Sequence, residues 1–212
     1  MSYEDVGLVF TSNLNYKDFK QIQPKIEELI EKNFKDIDIK GFFKSETHLH
    51  TNNVANIATD IAEELNFSKE DRYKIRAIAP FHDFGKLAID KHILNKPGKL
   101  TAEEFKKIQE HSEIGYRILM QFGDNEILNL AALIAREHHE KYNGRGYPHG
   151  RKKEDIHLFS RIVAAADVFD SLTAERCYKQ GWSKDRIYEL FKAEKGKHFD
   201  PEIAEIVLKK IL

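Results

Sequence analysis

The stretch His82-Asp83-Phe84-Gly85-Lys86 places a histidine and an aspartate side by side, just after a predicted helix. That helix begins after Ser68, which is a favoured N-cap residue. Adjacent helical residues point about a quarter turn apart, so His82 and Asp83 can serve one cluster if the helix ends there. Gly85 favours such an ending because it lies only two residues further on. The stretch therefore predicts a polar site at the end of a helix.

Further histidines and carboxylates lie on both sides of this pair. Glu46 and His50 are four residues apart, so on a helix both side chains leave the same face. Imidazole and carboxylate groups suit iron, manganese or zinc, and with Cys177 as the only cysteine no thiolate set competes. A cluster of this size fits two or three metal ions and indicates hydrolysis. The candidate ligands are Glu46, His50, His82, Asp83, His111, His138, His139 and Asp167.

The periodicity of the chain is helical. Apolar residues recur at three- and four-residue steps, and no stretch shows convincing strand alternation. Thr101 and Glu104 form a capping box at the start of the helix expected to carry His111. We predict an all-α fold in which residues 44–212 form the metal-binding domain. Residues 1–43 are predicted to be a short helical extension, whose apolar face serves core packing or a dimer contact.

The composition restricts the class of protein. A chain of 212 residues is long enough to bury a core without disulfides or a structural metal, so a metal would serve chemistry first. The 34 basic and 35 acidic side chains nearly cancel, which argues against a general binder of duplex nucleic acid. The N-terminus lacks the basic region of a signal peptide, and no apolar run is long enough to cross a bilayer. We expect a cytoplasmic protein that does not insert into the membrane.

Two motifs carry a family resemblance. Residues 82–86 resemble the HD-x-G-K core of the HD phosphohydrolases, and residues 138–148, with Asn143-Gly144-Arg145-Gly146-Tyr147-Pro148, resemble the extended signature of the HD-GYP subfamily. The resemblance continues from about Glu46 to near the C-terminus. It implies a helical HD-domain bundle and an enzyme of bacterial signalling, a phosphodiesterase that hydrolyses cyclic di-GMP. The expected product is the linear dinucleotide pGpG and, in some members, GMP.

The resemblance also implies how the ligands divide. One metal would be held by His50, His82, Asp83 and Asp167, and Asp83 would bridge to a second metal held by His111, His138 and His139. Members with a third metal use a glutamate at the position of Glu46; the alternative is that Glu46 faces solvent and two metals bind. Iron and manganese are the expected ions, although His and carboxylate sites accept several divalent metals.

The expected chemistry follows from the charge of the substrate. A phosphodiester is anionic and repels hydroxide, so catalysis needs charge neutralisation and a nucleophile at neutral pH. A hydroxide bridging two metals would attack phosphorus in line with the departing 3′ oxygen. Asp83 holds the metals in this hypothesis, and Lys86 stabilises the charge that grows on the phosphoryl group. The alternative for Lys86 is an ordinary surface lysine.

Two further segments are predicted to contact the substrate. The loop residues Gly146, Tyr147 and Pro148 offer unusual backbone shapes, an aromatic edge and a fixed bend; the alternative is a simple tight turn. Arg176 and Lys179 are three residues apart on a predicted helix and match basic residues that bind the dinucleotide in relatives. Their alternative is a solvated charged face.

Three functions remain open from the sequence. The first is a cyclic di-GMP phosphodiesterase, and the second is an HD phosphohydrolase that acts on another cyclic dinucleotide or nucleotide. The third is a module that binds a cyclic dinucleotide without cleaving it, which the complete ligand set disfavours. Regulation is expected from the first forty residues or from a partner protein.

Overall fold

The computed structural model describes residues 46–121, 126–174 and 181–211, with side chains from residue 50 to residue 210 within these ranges. The predicted extension at residues 1–43 lies outside them, as do Arg176 and Lys179. Within the described ranges no residue belongs to a β-strand, and two isolated backbone bridges join loop segments. The predicted all-α fold is confirmed.

Nine α-helices account for most of the described residues. They are α1 (Glu46–Glu64), α2 (Lys69–Ile78), α3 (Lys91–Leu94), α4 (Ala102–Gln109), α5 (His111–Met120), α6 (Glu126–Glu137), α7 (Leu158–Thr173), α8 (Lys184–Glu194) and α9 (Pro201–Ile206). Short 3-10 turns cover Ala79–Phe81, Phe84–Ala88 and Lys153–Asp155, and a π-helical turn covers Val207–Ile211. No helix in these ranges is sufficiently long and apolar to span a lipid bilayer.

Side-chain caps fix several helix starts. The Ser68 hydroxyl accepts a hydrogen bond from the Asp71 backbone N–H at 3.0 Å, as the sequence predicted. Thr101 and Glu104 form the predicted capping box, since each side chain accepts from the other's backbone N–H. The helix that they open does not carry His111, however, and that prediction was wrong.

The helix that begins at the capping box, α4, ends at Gln109. The chain leaves α4 at Glu110, whose backbone N–H bonds to the carbonyls of Lys107 and Ile108, and His111 begins the separate helix α5. The His111 ring reaches back, and its Nδ1 lies 2.6 Å from the Ile108 carbonyl oxygen. The break therefore turns the His111 ring toward the preceding turn and fixes it there.

The core lies where α1, α2, α6 and α7 pack together. α1 lies against α2 and α7, and α6 lies against α5 and α7. Ala165 and Ala166 of α7 are fully buried, together with Val54 and Ala58 of α1. The small side chains permit a close approach of the two helices, and this approach sets His50 of α1 opposite Asp167 of α7.

A glycine allows a second close approach. The 3-10 turn Phe84–Ala88 packs on α5, and a Cβ atom added to Gly85 would lie only 1.9 Å from the His111 carbonyl oxygen. The backbone of the turn packs directly against the backbone of α5, so a residue larger than glycine at position 85 would displace α5. Gly85 thereby brings the pair His82-Asp83 to the N-terminus of α5.

Candidate metal centre

Seven of the predicted ligands come together from five parts of the chain. α1 supplies one of them, the turn after α2 supplies an adjacent pair, α5 begins with one, the chain supplies another adjacent pair directly after α6, and α7 supplies the last. Asp167 lies beside the others, with its Oδ1 3.2 Å from His50 Nε2. The other six form two groups, in each of which the ligand atoms lie within 4.8 Å of one another, and Asp83 belongs to both groups. The first group is His50, His82 and Asp83; the second is Asp83, His111, His138 and His139.

Asp83 lies between the two groups. Its Oδ1 is 3.5 Å from His111 Nε2 and 3.8 Å from His138 Nε2, while its Oδ2 is 3.4 Å from His82 Nε2. The carboxylate is almost fully buried. One carboxylate that faces histidines of both groups has the geometry of a bridging ligand.

The hydrogen bonds of three rings fix their tautomers. His82, His111 and His138 each direct Nδ1 at a backbone carbonyl; since a carbonyl only accepts, each Nδ1 carries a proton and each Nε2 of the neutral ring keeps its lone pair. The accepting carbonyls belong to Ala79, Ile108, Ile134 and Ala135, at 2.6 to 3.1 Å.

The Nε2 lone pairs have no suitable hydrogen-bond donor. His111 Nε2 and His138 Nε2 face each other at 3.3 Å, although neither has a proton to donate in this tautomer. His82 Nε2 is buried and makes no hydrogen bond. Unpartnered acceptors in a buried site are costly, and divalent cations bound by the same nitrogens would remove that cost. The donor set therefore fits metal ions.

Burial keeps His111, His138 and His139 in the neutral form that metal binding needs. Burial also lowers the pKa of His82, but the Asp83 charge outweighs it and raises that pKa above its usual value. Desolvation lowers the pKa of His111, and it lowers the pKa of His138 well below the usual value. Burial also lowers the pKa of His139 to about 3, with the His111 charge acting in the same direction. A neutral imidazole can donate its lone pair without first losing a proton.

His50 shows a different arrangement. Its Nε2 is 3.2 Å from Asp167 Oδ1, and its Nδ1 is 2.6 Å from Asp170 Oδ2. Burial lowers the pKa of His50, but the hydrogen bonds to Asp167 and Asp170 outweigh that effect and raise the pKa to about 9. Burial opposes ionisation of Asp167, yet the bond from His50 lowers the pKa of this carboxyl to about 2.

Asp170 is a site residue that the sequence reasoning missed. It is buried, with 3% of its surface exposed, and its carboxylate orients the His50 ring so that Nε2 points at Asp167. The available signal was its position one helical turn after Asp167, where both side chains share a face. A carboxylate behind a ligand histidine is a common support in metal sites.

We expect Asp170→Ala to weaken metal binding and turnover by roughly 10- to 100-fold, the usual cost of removing such a support. The His50 ring would lose the bond that sets its orientation. Metal content and Mn²⁺ affinity measured by calorimetry give the direct readout. Asp185→Ala, at an exposed aspartate of α8, is the matched control. Wild-type Mn²⁺ affinity in Asp170→Ala would show that Asp170 does not position the ligand.

Lys86 reaches the centre. Its Nζ is 2.5 Å from Asp83 Oδ2, and 34% of its side chain remains exposed. Burial alone raises the pKa of the Asp83 carboxyl, but the Lys86 ammonium and the neighbouring histidines reverse this and hold that pKa well below its usual range. Lys86 thus forms an ion pair with the buried Asp83 carboxylate and still offers N–H donors at the edge of the site.

The loop after α6 packs against the predicted ligand His139. The Tyr147 ring stacks on the His139 ring at 4.7 Å with an angle of 27°, and the Tyr147 backbone N–H donates to the His139 carbonyl at 3.2 Å. A Cβ atom on Gly146 would lie 2.3 Å from the Lys141 backbone nitrogen, so only glycine fits there. Pro148 follows through a cis peptide bond. Of the three loop residues predicted to contact substrate, Tyr147 borders the centre, Gly146 packs on the backbone after His139, and Pro148 follows them in the chain.

Two buried glutamates tie this loop to the helices. Glu140 accepts a hydrogen bond from the His149 backbone N–H at 2.8 Å. Glu137 accepts from the Arg151 guanidinium at 2.9 Å and from the His157 backbone N–H at 2.9 Å. Both glutamates are at most 2% exposed, so buried hydrogen bonds fix the position of the loop.

Three predicted residues are not located by side chain. Glu46 is the first residue of α1, one turn before His50, and its side chain lies outside the described atoms. Arg176 and Lys179 lie outside the described residues altogether. Their expected roles remain predictions.

Comparison with known proteins places the chain in a family. A family model described as "HD domain" matches residues 37–203. The chain is 42% identical over 156 residues to the cyclic di-GMP phosphodiesterase response regulator RpfG of Xanthomonas campestris pv. campestris, which covers 74% of this chain and 41% of that protein. It is 40% identical over 163 residues to 3′3′-cGAMP-specific phosphodiesterase 2 of Vibrio cholerae, which covers 77% of this chain and 31% of that protein.

A solved structure supports the same fold. Bd1817, described as a HDG"Y"P protein from Bdellovibrio bacteriovorus, aligns with a TM-score of 0.64 at 17% identity, over 93% of this chain and 64% of that chain. The chain spans less than half the length of the two relatives named above. The resemblance inferred from residues 82–86 and 138–148 is confirmed, and the chain belongs to the HD domain family.

Proposed function

We propose that the protein is a metal-dependent phosphodiesterase that hydrolyses cyclic di-GMP to linear pGpG and, on further turnover, to GMP. The observation that carries the proposal is the pair of ligand groups that share the Asp83 carboxylate. A paired site of neutral imidazoles and carboxylates suits phosphoester hydrolysis. The name of the relative RpfG supports the choice of substrate.

The bound metals would have two tasks in this proposal. A pair of divalent ions, iron or manganese, neutralises phosphoryl charge and provides a water-derived nucleophile at neutral pH. We propose that His50, His82, Asp83 and Asp167 hold one ion and that His111, His138 and His139 hold the other with Asp83. The protein's part is to orient the rings, through backbone carbonyls and Asp170, and to keep His111, His138 and His139 neutral by burial.

Lys86 is proposed to bind the phosphoryl group during reaction. Its ammonium lies at the edge of the centre, beside Asp83. There it can donate to a phosphodiester oxygen, either instead of the Asp83 carboxylate or in addition to it. Tyr147 borders the opposite group through its stack on His139. Burial, aided by the Asp83 and Asp167 charges, raises the pKa of its hydroxyl, so Tyr147 stays protonated and able to donate to an anionic oxygen.

For Lys86→Ala we expect turnover to fall by about 10²- to 10³-fold, a typical loss when one donor to the developing charge is removed. Metal content should change little because Lys86 is not a ligand. Lys86→Arg keeps the charge, and we expect it to recover part of the rate. The measurement is kcat and KM on cyclic di-GMP, with Lys91→Ala, an exposed lysine of α3, as the control. Unchanged turnover in Lys86→Ala would exclude the role.

A third metal is a further proposal. Glu46 begins α1 one turn before His50, which is the position expected of an additional carboxylate ligand. Glu46→Ala is expected to lower the metal content of active protein from three ions per chain to two. A content of two ions in both proteins, with the same rate, would favour a solvated Glu46 and a site for two metals.

We propose that Gly146, Tyr147, Pro148, Arg176 and Lys179 contact the dinucleotide. Arginine and lysine suit phosphate and guanine edges, and the loop residues border the ligands. Arg176→Ala is expected to weaken cyclic di-GMP binding; unchanged affinity would favour a solvated charged face.

The remaining proposals concern the setting of the domain. We propose residues 44–212 as the phosphohydrolase domain and residues 1–43 as a helical extension that serves core packing, dimerisation or contact with a regulatory partner. A cytoplasmic location is proposed on the basis of the single cysteine. Duplex nucleic acid is not proposed as a partner, because the net charge is close to zero.

A hybrid cyclic dinucleotide is the second candidate substrate. The relative from Vibrio cholerae that is 40% identical is named a 3′3′-cGAMP-specific phosphodiesterase. The two substrates share the ring of phosphodiesters and differ in one base, so discrimination would depend on base contacts outside the metal centre. A module that binds without cleaving is disfavoured, because the described part of the ligand set is intact.

The deciding experiment is anaerobic incubation of protein loaded separately with ferrous or manganous ions, with each cyclic dinucleotide, followed by chromatography. Metal-dependent pGpG or GMP from cyclic di-GMP, absent in His82→Ala, is the expected result. Cleavage of only 3′3′-cGAMP would select the second candidate. If metals are bound and neither substrate is cleaved, the assignment as a cyclic-dinucleotide phosphodiesterase fails.

A further inference from the structure

Three aromatic rings form a stack near the metal centre. Phe191 of α8 and Phe199 lie parallel at 4.2 Å, and His198 lies parallel to Phe199 at 4.4 Å, each pair with an angle of 7°. Two parallel rings at these distances would overlap if both lay on the same face of Phe199. Phe199 is therefore the middle ring, and His198 ends the stack.

The stack runs from the core to the surface. Phe191 is fully buried and Phe199 is 3% exposed, whereas His198 is half-buried. His198, the end ring, is the member of the stack with the most exposed surface. Its position is fixed, because the Phe199 ring lies behind it and the His198 carbonyl accepts a hydrogen bond from the Tyr142 backbone N–H at 3.1 Å.

His198 lies beside the metal centre. Its backbone pairs with the segment that directly follows His139 and Glu140, and the adjacent Lys197 carbonyl accepts from the Asn143 N–H at 2.8 Å. Burial and the Lys141 ammonium lower the pKa of His198 to about 4, while the Asp167 carboxylate acts in the opposite direction. The ring thus stands within electrostatic reach of one predicted ligand and is neutral near pH 7.

These features suit a platform for a nucleobase, that is, a flat surface on which the base can stack. A flat, neutral ring fixed against a buried aromatic ring offers a π face without the cost of ordering it on binding. Nucleobases stack on such faces in many proteins that bind single-stranded nucleic acids. Lys141 adds a positive charge at the same place, which suits the phosphate of a nucleotide or the acceptor edge of guanine.

We propose that His198 is the stacking platform for one purine base of the substrate while the phosphodiester occupies the metal centre. The proposal deepens the proposed function and rests on it, since it assigns the base contact of the same site. His198 acts on affinity for the base and takes no part in bond cleavage.

The test uses the full chain loaded with Mn²⁺ and measures binding of GMP and of ribose 5-phosphate by calorimetry. The two probes share the phosphate and the ribose, and only GMP has a base. Wild-type protein is expected to bind GMP at least about tenfold more tightly than ribose 5-phosphate, in line with the stacking free energy of one base. His198→Ala should lose most of this difference and leave the affinity for ribose 5-phosphate unchanged.

Two further variants distinguish a loss of stacking from a loss of the fold. His198→Phe keeps a flat ring on Phe199 and is expected to retain the preference for GMP. His92→Ala changes an exposed histidine of α3 and should match wild type in every measurement. Thermal unfolding of each variant shows whether the stack has collapsed.

The proposal is overturned if wild type binds both probes equally, or if His198→Ala keeps the GMP preference. It is also overturned if His198→Ala, while still folded, weakens both probes to the same degree. Cyclic di-GMP cleavage is measured on the same preparations. Absence of cleavage together with a His198-dependent preference for GMP would remove the phosphodiesterase assignment and keep the base platform.

Discussion

Asp83→Asn is expected to lower hydrolysis by about 10³-fold or more, because several kcal/mol of metal-derived stabilisation correspond to such a factor. Asp83 is the only described residue that belongs to both ligand groups. Its negative charge lies between two positions for divalent ions, and asparagine keeps the shape without the charge. We therefore expect the metal content to fall as well, to one ion per chain or fewer.

The measurement combines elemental analysis with turnover of cyclic di-GMP. Asp60→Asn, at an exposed aspartate of α1, is the control that removes the same charge far from the ligand groups. Circular dichroism checks that the fold is retained, because Asp83 is buried and its loss also frees Lys86. If Asp83→Asn keeps the metal content of wild type and a rate within about tenfold of it, Asp83 does not bridge the two groups.

The sequence predicted which His and Asp side chains come together, because metal chemistry restricts residue types. The structure brings the pairs His82-Asp83 and His138-His139 together with His50 and Asp167. Local signals were equally reliable at Ser68 and Thr101, where a side chain caps its own helix within three residues. These features depend on neighbours in the chain, so a single sequence contains them.

Features that depend on contacts between distant segments were not predictable. Asp170 became a site residue only when α7 met α1, 120 positions away along the chain. The stack of His198 on Phe199 and Phe191 depends on how the segment before α9 folds against α8. The break at Glu110 was also missed, because the capping box signals where α4 begins and not where it ends. Spacing placed Asp170 on the same helix face as Asp167 but gave no sign of its contact with His50.

Gly85→Ala is expected to be among the most destabilising single substitutions in this domain. The added methyl carbon would lie 1.9 Å from the His111 carbonyl oxygen and 2.6 Å from the Gly115 backbone nitrogen. Both obstacles are backbone atoms of α5, so a side-chain rotation cannot relieve the collision. We expect a loss of about 3 kcal/mol in the free energy of unfolding, at the upper end for overpacking. For a domain of this size that corresponds to a fall of about 6–12 °C in Tm.

The matched control is Gly98→Ala. Gly98 has a φ of +105°, and a Cβ atom added there meets no heavy atom within 4 Å. That substitution carries only backbone strain, about 1–2 kcal/mol. A larger loss for Gly85→Ala, accompanied by weaker Mn²⁺ binding, would show that the close approach of residues 84–88 to α5 holds Asp83 and His111 in place. Equal losses in the two variants, with full metal binding in both, would show that the centre tolerates a wider separation of the turn and the helix.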